Sequence, residues 1–307
     1  MRVALVGLGD IARKGYLPVL AARADIELVL VTRNKTRLDA LGDAYRVPRR
    51  HTSVADAIAA GLDAAFVSAA TVAHHELVSQ LLDAGVPVSV DKPLDLHLDR
   101  AEDLVRRASE RGVSLAVAFN RRWAPAYRAL ADWDDRPIVL LTKNRRLLPD
   151  QPRKVVFDDF IHVVDTLRFL GVADPEDVDV TARRDDAGRL EHVALSLRRG
   201  SSLAVGIMNR VAGTTQEVLE VMGRGRGARV VDLATTVRYE GDELIQRRDE
   251  WRSVADQRGF TAMVDAFLGA VRAGRVLSAA DALATHALCE QVVAAVERVA
   301  PGAATEA

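Results

Sequence analysis

Three short stretches of the chain combine residue types able to do chemistry with spacings able to place them. The first is Gly7-Leu8-Gly9-Asp10-Ile11-Ala12. Gly7 permits a tight turn, Gly9 lets the backbone approach a pyrophosphate, and Ala12 is small enough for a helix to pack against a sheet. A helix opening there adds free N–H groups and a partial positive charge, both of which favour an anion. The second stretch is Val90-Asp91-Lys92-Pro93-Leu94. Pro93 stops a strand and holds Lys92 extended, so an ammonium group projects from a strand end. The third is Asp158-Asp159-Phe160-Ile161-His162-Val163-Val164-Asp165, whose spacings of three, four and seven set Asp158, His162 and Asp165 on one helical face. The neighbouring residues are apolar, and polar groups set among apolar ones need a partner or a ligand.

The elements that must position these residues follow from apolar periodicity. In the first third, short β-branched runs at residues 3–6, 26–31, 64–67, 86–90 and 113–117 alternate with helical patterns at 11–22, 35–44, 53–59, 73–84 and 98–111. Strands that are apolar on both faces belong in a parallel sheet covered on each side. The expected fold class is therefore α/β, with a doubly wound Rossmann domain over residues 1–121. The glycine motif leaves its first strand, and Lys92 stands at the carboxyl edge where such sheets bind ligands. After Asn120 the rhythm changes: a strand at 138–144 and a helix at 156–170 precede strands at 192–197, 203–208, 218–222, 228–233 and 236–239. Short turns such as Arg199-Gly200-Ser201 indicate an open, mainly antiparallel sheet. With closing helices at 260–273 and 279–299, residues 122–307 read as an α+β domain for substrate binding and oligomerisation.

The second strand ends in Val31-Thr32-Arg33-Asn34-Lys35, with no carboxylate to take a ribose 2′-hydroxyl. Thr32 can donate to a 2′-phosphate, and Arg33 and Arg37 can pair with its charge, so NADP(H) is preferred while NAD(H) stays open. The other reading of Arg33 and Arg37 is the solvated start of a helix.

Composition narrows the classes further. A formal net charge of −1 over 307 residues argues against a broad nucleic-acid surface. The single cysteine, Cys289, excludes an intrachain disulfide and a multi-cysteine metal site, and lies in an apolar helical stretch as buried filler. No metal site is expected. No leader segment is visible and no apolar run approaches the ~20 residues that span a bilayer, so no membrane partner and a cytoplasmic location are expected.

Taken with Ala118-Phe119-Asn120-Arg121-Arg122, the glycine and Asp-Lys-Pro motifs resemble the Gfo/Idh/MocA family, the glucose–fructose oxidoreductase and inositol dehydrogenase group. Its members commonly carry Glu-Lys-Pro, a Gly-Phe-Asn-Arg-Arg-like segment and an Asp-x-x-x-His-x-x-Asp helix. This chain departs at Asp91, one methylene shorter than Glu, and at Phe160, where many members have Gly. The resemblance implies hydride transfer between a nicotinamide and a secondary alcohol or ketone of a sugar, cyclitol or sugar derivative. It makes His162 the general acid/base, Lys92 the group that polarises the substrate oxygen, and Asp158 a partner of His162 or of substrate hydroxyls. It adds Ser68, Ala69, His74, Asp91, Lys92 and Asn120 to the cofactor set, with a structural role at a helix start as the other reading of His74, and implies a cis Lys92–Pro93 bond. Substrate contacts are expected from Lys92, Asp158, His162, Arg122, Trp123 and Asn144. Lys143 and Arg145 are further candidates, although Lys143, Asn144 and Arg145 read more plainly as solvated charge at a strand edge. A homodimer or homotetramer is expected. Reduction of a C=N bond or a non-sugar carbonyl stays open, as does a catalytically silent dinucleotide sensor. Retention of Lys92, Asp158 and His162 speaks against the sensor.

Overall fold

The apolar runs of the first third build a six-stranded sheet in the computed structural model, which describes residues 1–302. Its strands are β1 (Arg2–Val6), β2 (Glu27–Val31), β3 (Arg49–His51), β4 (Ala64–Val67), β5 (Val88–Asp91) and β6 (Leu115–Ala118). All pair in parallel, in the order β3-β2-β1-β4-β5-β6. Val3, Ala4, Leu5 and all of β4 are buried, as expected for strands covered on both faces. Between β1 and β4 the order of winding reverses, and the glycine motif leaves β1 at that point. Gly7 has φ +88°, and a Cβ there would lie 2.5 Å from the Ala69 backbone. Any other residue would force the two loops apart. The following helix begins with a π turn, Ala12–Tyr16, and continues as α-helix over Leu17–Ala21.

The single boundary expected after residue 121 does not hold. Residues Val254–Leu283 belong with Met1–Asn120 in one unit. The cause is the helix Phe260–Arg272, which sets Phe260, Met263, Val264, Phe267 and Leu268 on one stripe. These five join the core formed by Tyr16, Leu17, Leu20 and Phe66. Phe260 meets Tyr16 edge-on at 5.2 Å between ring centres, and Phe267 meets Phe66 at 5.1 Å. A Cβ on Gly15 would fall 2.7 Å from the Phe260 ring, so the helix seats where the chain has left room.

The second unit comprises Arg121–Ser253 and the chain from Ala284 onward; the last five residues assigned to this domain, 303–307, lie outside the described residues. Its strands are β7 (Ile138–Arg146), β8 (Asp177–Arg184), β9 (Leu190–Arg199), β10 (Ser202–Ala212), β11 (Gln216–Gly223), β12 (Arg226–Val231), β13 (Thr235–Glu240) and β14 (Asp242–Gln246). They form one eight-stranded sheet in the order β14-β13-β12-β11-β7-β10-β9-β8. Every neighbouring pair is antiparallel except β7 with β10, which is parallel. A π turn, Val156–Phe160, leads into the helix Ile161–Leu170, which packs on β7 and β10. That helix comes so close that a Cβ on Gly206 of β10 would collide with Val163. Among the described residues no helix is long and apolar enough to cross a membrane.

Candidate functional site

In the first unit, a cavity of about 670 Å³ opens at the carboxyl ends of β1, β2 and β4. Of the expected cofactor residues, Gly7, Gly9, Thr32, Arg33, Arg37, Ser68 and Ala69 line it. The turn is pinned by Ser68, whose Oγ donates to the Gly7 carbonyl at 2.9 Å. Nothing lies within 4 Å of where a Cβ on Gly9 would sit, so the space over that residue is open to a ligand. An open turn with a helix behind it fits the phosphates of a dinucleotide. At the end of β2, the Asn34 side chain accepts from the Arg37 backbone N–H at 2.9 Å and caps the helix Lys35–Ala44. Lys35 pairs with Asp39 at 3.0 Å. Arg33 and Arg37 are exposed, and neither guanidinium has an ion-pair partner among the described residues.

Several lining residues escaped the sequence reading. Thr52 and Ser53 follow β3, while Val72, Glu76 and Gln80 fall on one face of the turn and helix after β4. Their spacing of four was the available signal. Gln80 Nε2 donates to Glu76 at 3.3 Å, and Glu76 is the one carboxylate among the described lining residues.

Other expected cofactor residues stand elsewhere. Asp10 is exposed and pairs with Lys14 at 2.7 Å, Ile11 is half-buried, and Ala12 is fully buried against the sheet. Asn120 is buried with its Nδ2 donating to the Arg258 carbonyl at 2.8 Å, so its amide ties β6 to the returning chain. His74 does not line the cavity but is buried behind it, 3.0 Å from the Ala69 carbonyl. At the end of β5, Tyr16 Oη donates to Asp91 at 3.1 Å. Burial pushes the Asp91 carboxyl up, against the opposing charges of Lys92 and His74 and the Tyr16 hydrogen bond. Lys92 is half-buried, and the Lys92–Pro93 bond is cis, as the resemblance implied.

In the second unit, the expected polar stripe is not uniform. The π turn over Val156–Phe160 widens the helix just before His162, so the angular spacing of a regular α-helix does not apply to Asp158. Asp158 is exposed, His162 half-buried and Asp165 only 1% exposed. Asp165 accepts from Arg122 Nη2 at 2.6 Å and from the Thr285 hydroxyl at 3.3 Å. The Arg122 guanidinium, expected to face substrate, is therefore engaged within its own domain. Trp123 is 37% exposed, and Asn144 is half-buried on β7.

The plainer reading of Lys143 and Arg145 as solvated strand-edge charge is wrong. Residue 143 continues the inward alternation of Val139 and Leu141, so its side chain enters the core and is 2% exposed. Its ammonium lies 3.0 Å from Glu217, its register partner on β11, and 3.4 Å from Asp159. Glu217 also accepts from Arg121 at 2.8 and 2.6 Å and from Tyr127 at 3.0 Å. Asp159 accepts two bonds of 2.7 Å from Arg145 and one of 2.7 Å from Arg210. Burial, with the charge of Arg121, lowers Lys143 to about 8 although Glu217 and Asp159 pull the other way. Burial would raise Asp159, yet the Arg145 hydrogen bonds and the charges of Lys143, Arg145 and Arg210 hold it well below the carboxylate range. Asp159 thus fastens the π turn to two adjacent strands, and no sequence spacing pointed to it.

A glycine turn at the reversal of a doubly wound sheet, with an open cavity over it and Lys92 at the end of β5, is the arrangement of a dinucleotide-binding domain. Known proteins bear this out. Residues 1–119 match the model described as "Oxidoreductase family, NAD-binding Rossmann fold", and residues 125–242 match the YceM-like C-terminal domain. "Putative oxidoreductase YceM" of Salmonella typhimurium is 31% identical over 89% of this chain and 90% of its own. Inositol 2-dehydrogenase of Rhizobium meliloti is 26% identical over 96% and 97%. A crystal structure of a Gfo/Idh/MocA family oxidoreductase from Vibrio cholerae superposes with a TM-score of 0.90 at 32% identity, covering 97% of this chain and all of that one. The chain belongs to the Gfo/Idh/MocA family of oxidoreductases.

Proposed function

We propose that the chain is an NADP(H)-preferring dehydrogenase or ketoreductase acting on a secondary alcohol or ketone of a sugar, cyclitol or sugar derivative. The observation carrying the cofactor preference is the pair Arg33 and Arg37, two exposed guanidinium groups without ion-pair partners among the described residues, at a strand end that lacks a carboxylate. A 2′-phosphate would satisfy both, whereas a 2′-hydroxyl gives them nothing to pair with. Printed names of relatives support the substrate class: inositol 2-dehydrogenase, D-apiose dehydrogenase and UDP-N-acetylglucosamine 3-dehydrogenase.

Gly7 and Gly9, with Ser68 and Ala69, would hold the pyrophosphate end of the dinucleotide, and Thr32, Arg33 and Arg37 the 2′-phosphate. Its nicotinamide supplies the hydride acceptor or donor. Lys92 stabilises negative charge developing on the substrate oxygen. His162 takes or returns the proton at that oxygen, because imidazole titrates nearest neutral pH. Asp158 orients His162 or a substrate hydroxyl. The active form is a homodimer or homotetramer.

The test is a screen of polyols, aldoses and keto-sugars for a change in NADPH absorbance, with parallel titrations of NADPH and NADH. NADPH should bind at least ~10-fold tighter, a difference of about 1.4 kcal/mol. Lys92→Ala and His162→Ala should each abolish turnover while leaving NADPH affinity intact. Equal affinity for the two cofactors would defeat the 2′-phosphate argument, and unchanged turnover in either variant would defeat the catalytic assignment.

A further inference from the structure

His74 is 1% exposed, and both of its ring nitrogens face backbone carbonyl oxygens. Nδ1 lies 2.8 Å from the Pro93 carbonyl, and Nε2 lies 3.0 Å from the Ala69 carbonyl. A carbonyl oxygen can only accept. A neutral imidazole has one N–H and one bare lone pair, so either tautomer would press a lone pair against an oxygen with water excluded. The doubly protonated ring satisfies both contacts.

We propose that His74 is held as an imidazolium, and that in this form it ties the loop lining the dinucleotide cavity to the cis-proline turn carrying Lys92. The two ends of the clamp are places the proposed function depends on. Ala69 forms part of the cavity wall and stands against Gly7. Pro93 immediately follows Lys92 across the cis bond. His74 touches neither cofactor nor substrate on this reading and is a positioning residue.

A buried cation needs a counter-charge, and one is present. Asp91 at the end of β5 interacts with the charges of both His74 and Lys92, and Tyr16 donates to it. On the histidine's own helix, His75 is bonded to Asp103 at 3.0 Å and Glu76 to Gln80. The clamp rests on the dinucleotide reading only for its consequence; the protonation state stands on the two carbonyl contacts.

The protonation state can be read without a substrate. Long-range ¹H–¹⁵N correlation spectra of the full-length chain labelled at histidine nitrogens are recorded at about pH 8, where an ordinary histidine with a pKa near 6.5 is neutral. An imidazolium shows two nitrogens of similar shift, and a neutral ring shows two widely separated ones. One of the seven histidines should keep the imidazolium pattern, and that signal should vanish in His74→Gln. Should His74→Gln fail to fold, replacing His51, His75, His97, His162, His192 and His286 one at a time identifies the signal by elimination. A neutral pattern for His74 at that pH overturns the proposal. The consequence is read by NADPH titration, where His74→Gln should weaken binding ~10-fold, and unchanged affinity would refute the positioning role. If the native chain binds no NADPH, the proposed function fails, while the spectrum still decides the state of His74.

Discussion

Replacing Glu217 with glutamine removes one negative charge from the buried network on β7 and β11 with little change in shape. In the native protein this side chain is 10% exposed and faces Arg121 at 2.6 Å and Lys143 at 3.0 Å. Glutamine keeps an acceptor for Tyr127 but leaves two buried cations, with Asp159 at 3.4 Å from Lys143 as the remaining partner. Breaking a buried pair from one side costs about 3–5 kcal/mol, and that is the expected loss near pH 6. The pH dependence is more specific. Lys143 already sits at about 8 because burial and Arg121 outweigh Glu217 and Asp159. Without Glu217 its pKa falls further, so the variant sheds that proton at a lower pH than the native protein does. A lysine depressed below its unfolded value binds fewer protons when folded, so stability rises with pH between the two values. In the variant this window opens earlier, and the deficit must narrow as pH rises towards 8, by about 1.4 kcal/mol for each unit of extra depression. It does not close, because Arg121 keeps its proton. All three tryptophans, Trp123, Trp133 and Trp251, lie in the second unit, so urea unfolding followed by their fluorescence reports on that unit. A loss under about 1 kcal/mol at pH 6, or a deficit that widens with pH, would refute the reasoning.

Two further outcomes follow from the cavity. Gly9→Ala should leave the thermal midpoint within a degree or so while weakening NADPH at least ~10-fold, because its Cβ meets only the space a phosphate needs. Gly7→Ala should destabilise the fold itself by about 1–3 kcal/mol, since φ +88° and the Ala69 backbone both oppose a side chain; equal effects of the two substitutions in melting and binding assays would contradict the division of labour. Arg37→Ala should weaken NADPH by about 1–2 kcal/mol and leave NADH unchanged, with the NADPH difference shrinking as salt is raised. Parallel titrations with both cofactors check this, and an equal loss for the two would remove Arg37 from the 2′-phosphate site.

Much of this architecture was legible because it rests on burial. Strands apolar on both faces could only be the middle of a covered sheet, and Leu98–Arg111 was readable to the residue from its period. The three strands that escaped are β3, β8 and β14, and each is the end strand of its sheet. An end strand pairs on one side and carries polar side chains such as Arg49-Arg50-His51, so the apolar signal is weak there. The cofactor turn was legible for a different reason: it needs glycines that little else explains. The charged network was not. Lys143, Asp159, Arg210 and Glu217 are far apart in sequence, and a charged residue in a strand reads as solvated until its register partner is known. The shared unit had the same difficulty, since nothing in the stripe from Phe260 to Leu268 says which core it will enter.

The helix Phe260–Arg272 also fixes the order in which the molecule can be completed. A nascent chain emerges amino terminus first, yet the face bearing Tyr16, Leu17 and Phe66 stays uncovered until Phe267 and Leu268 have been made. By then the whole of Arg121–Ser253 has been synthesised, so the earlier unit stays open while most of the later one is made. A ribosome stalled before residue 260 holds a greasy, unfinished surface, and a shortened copy ending near residue 120 would inherit it permanently.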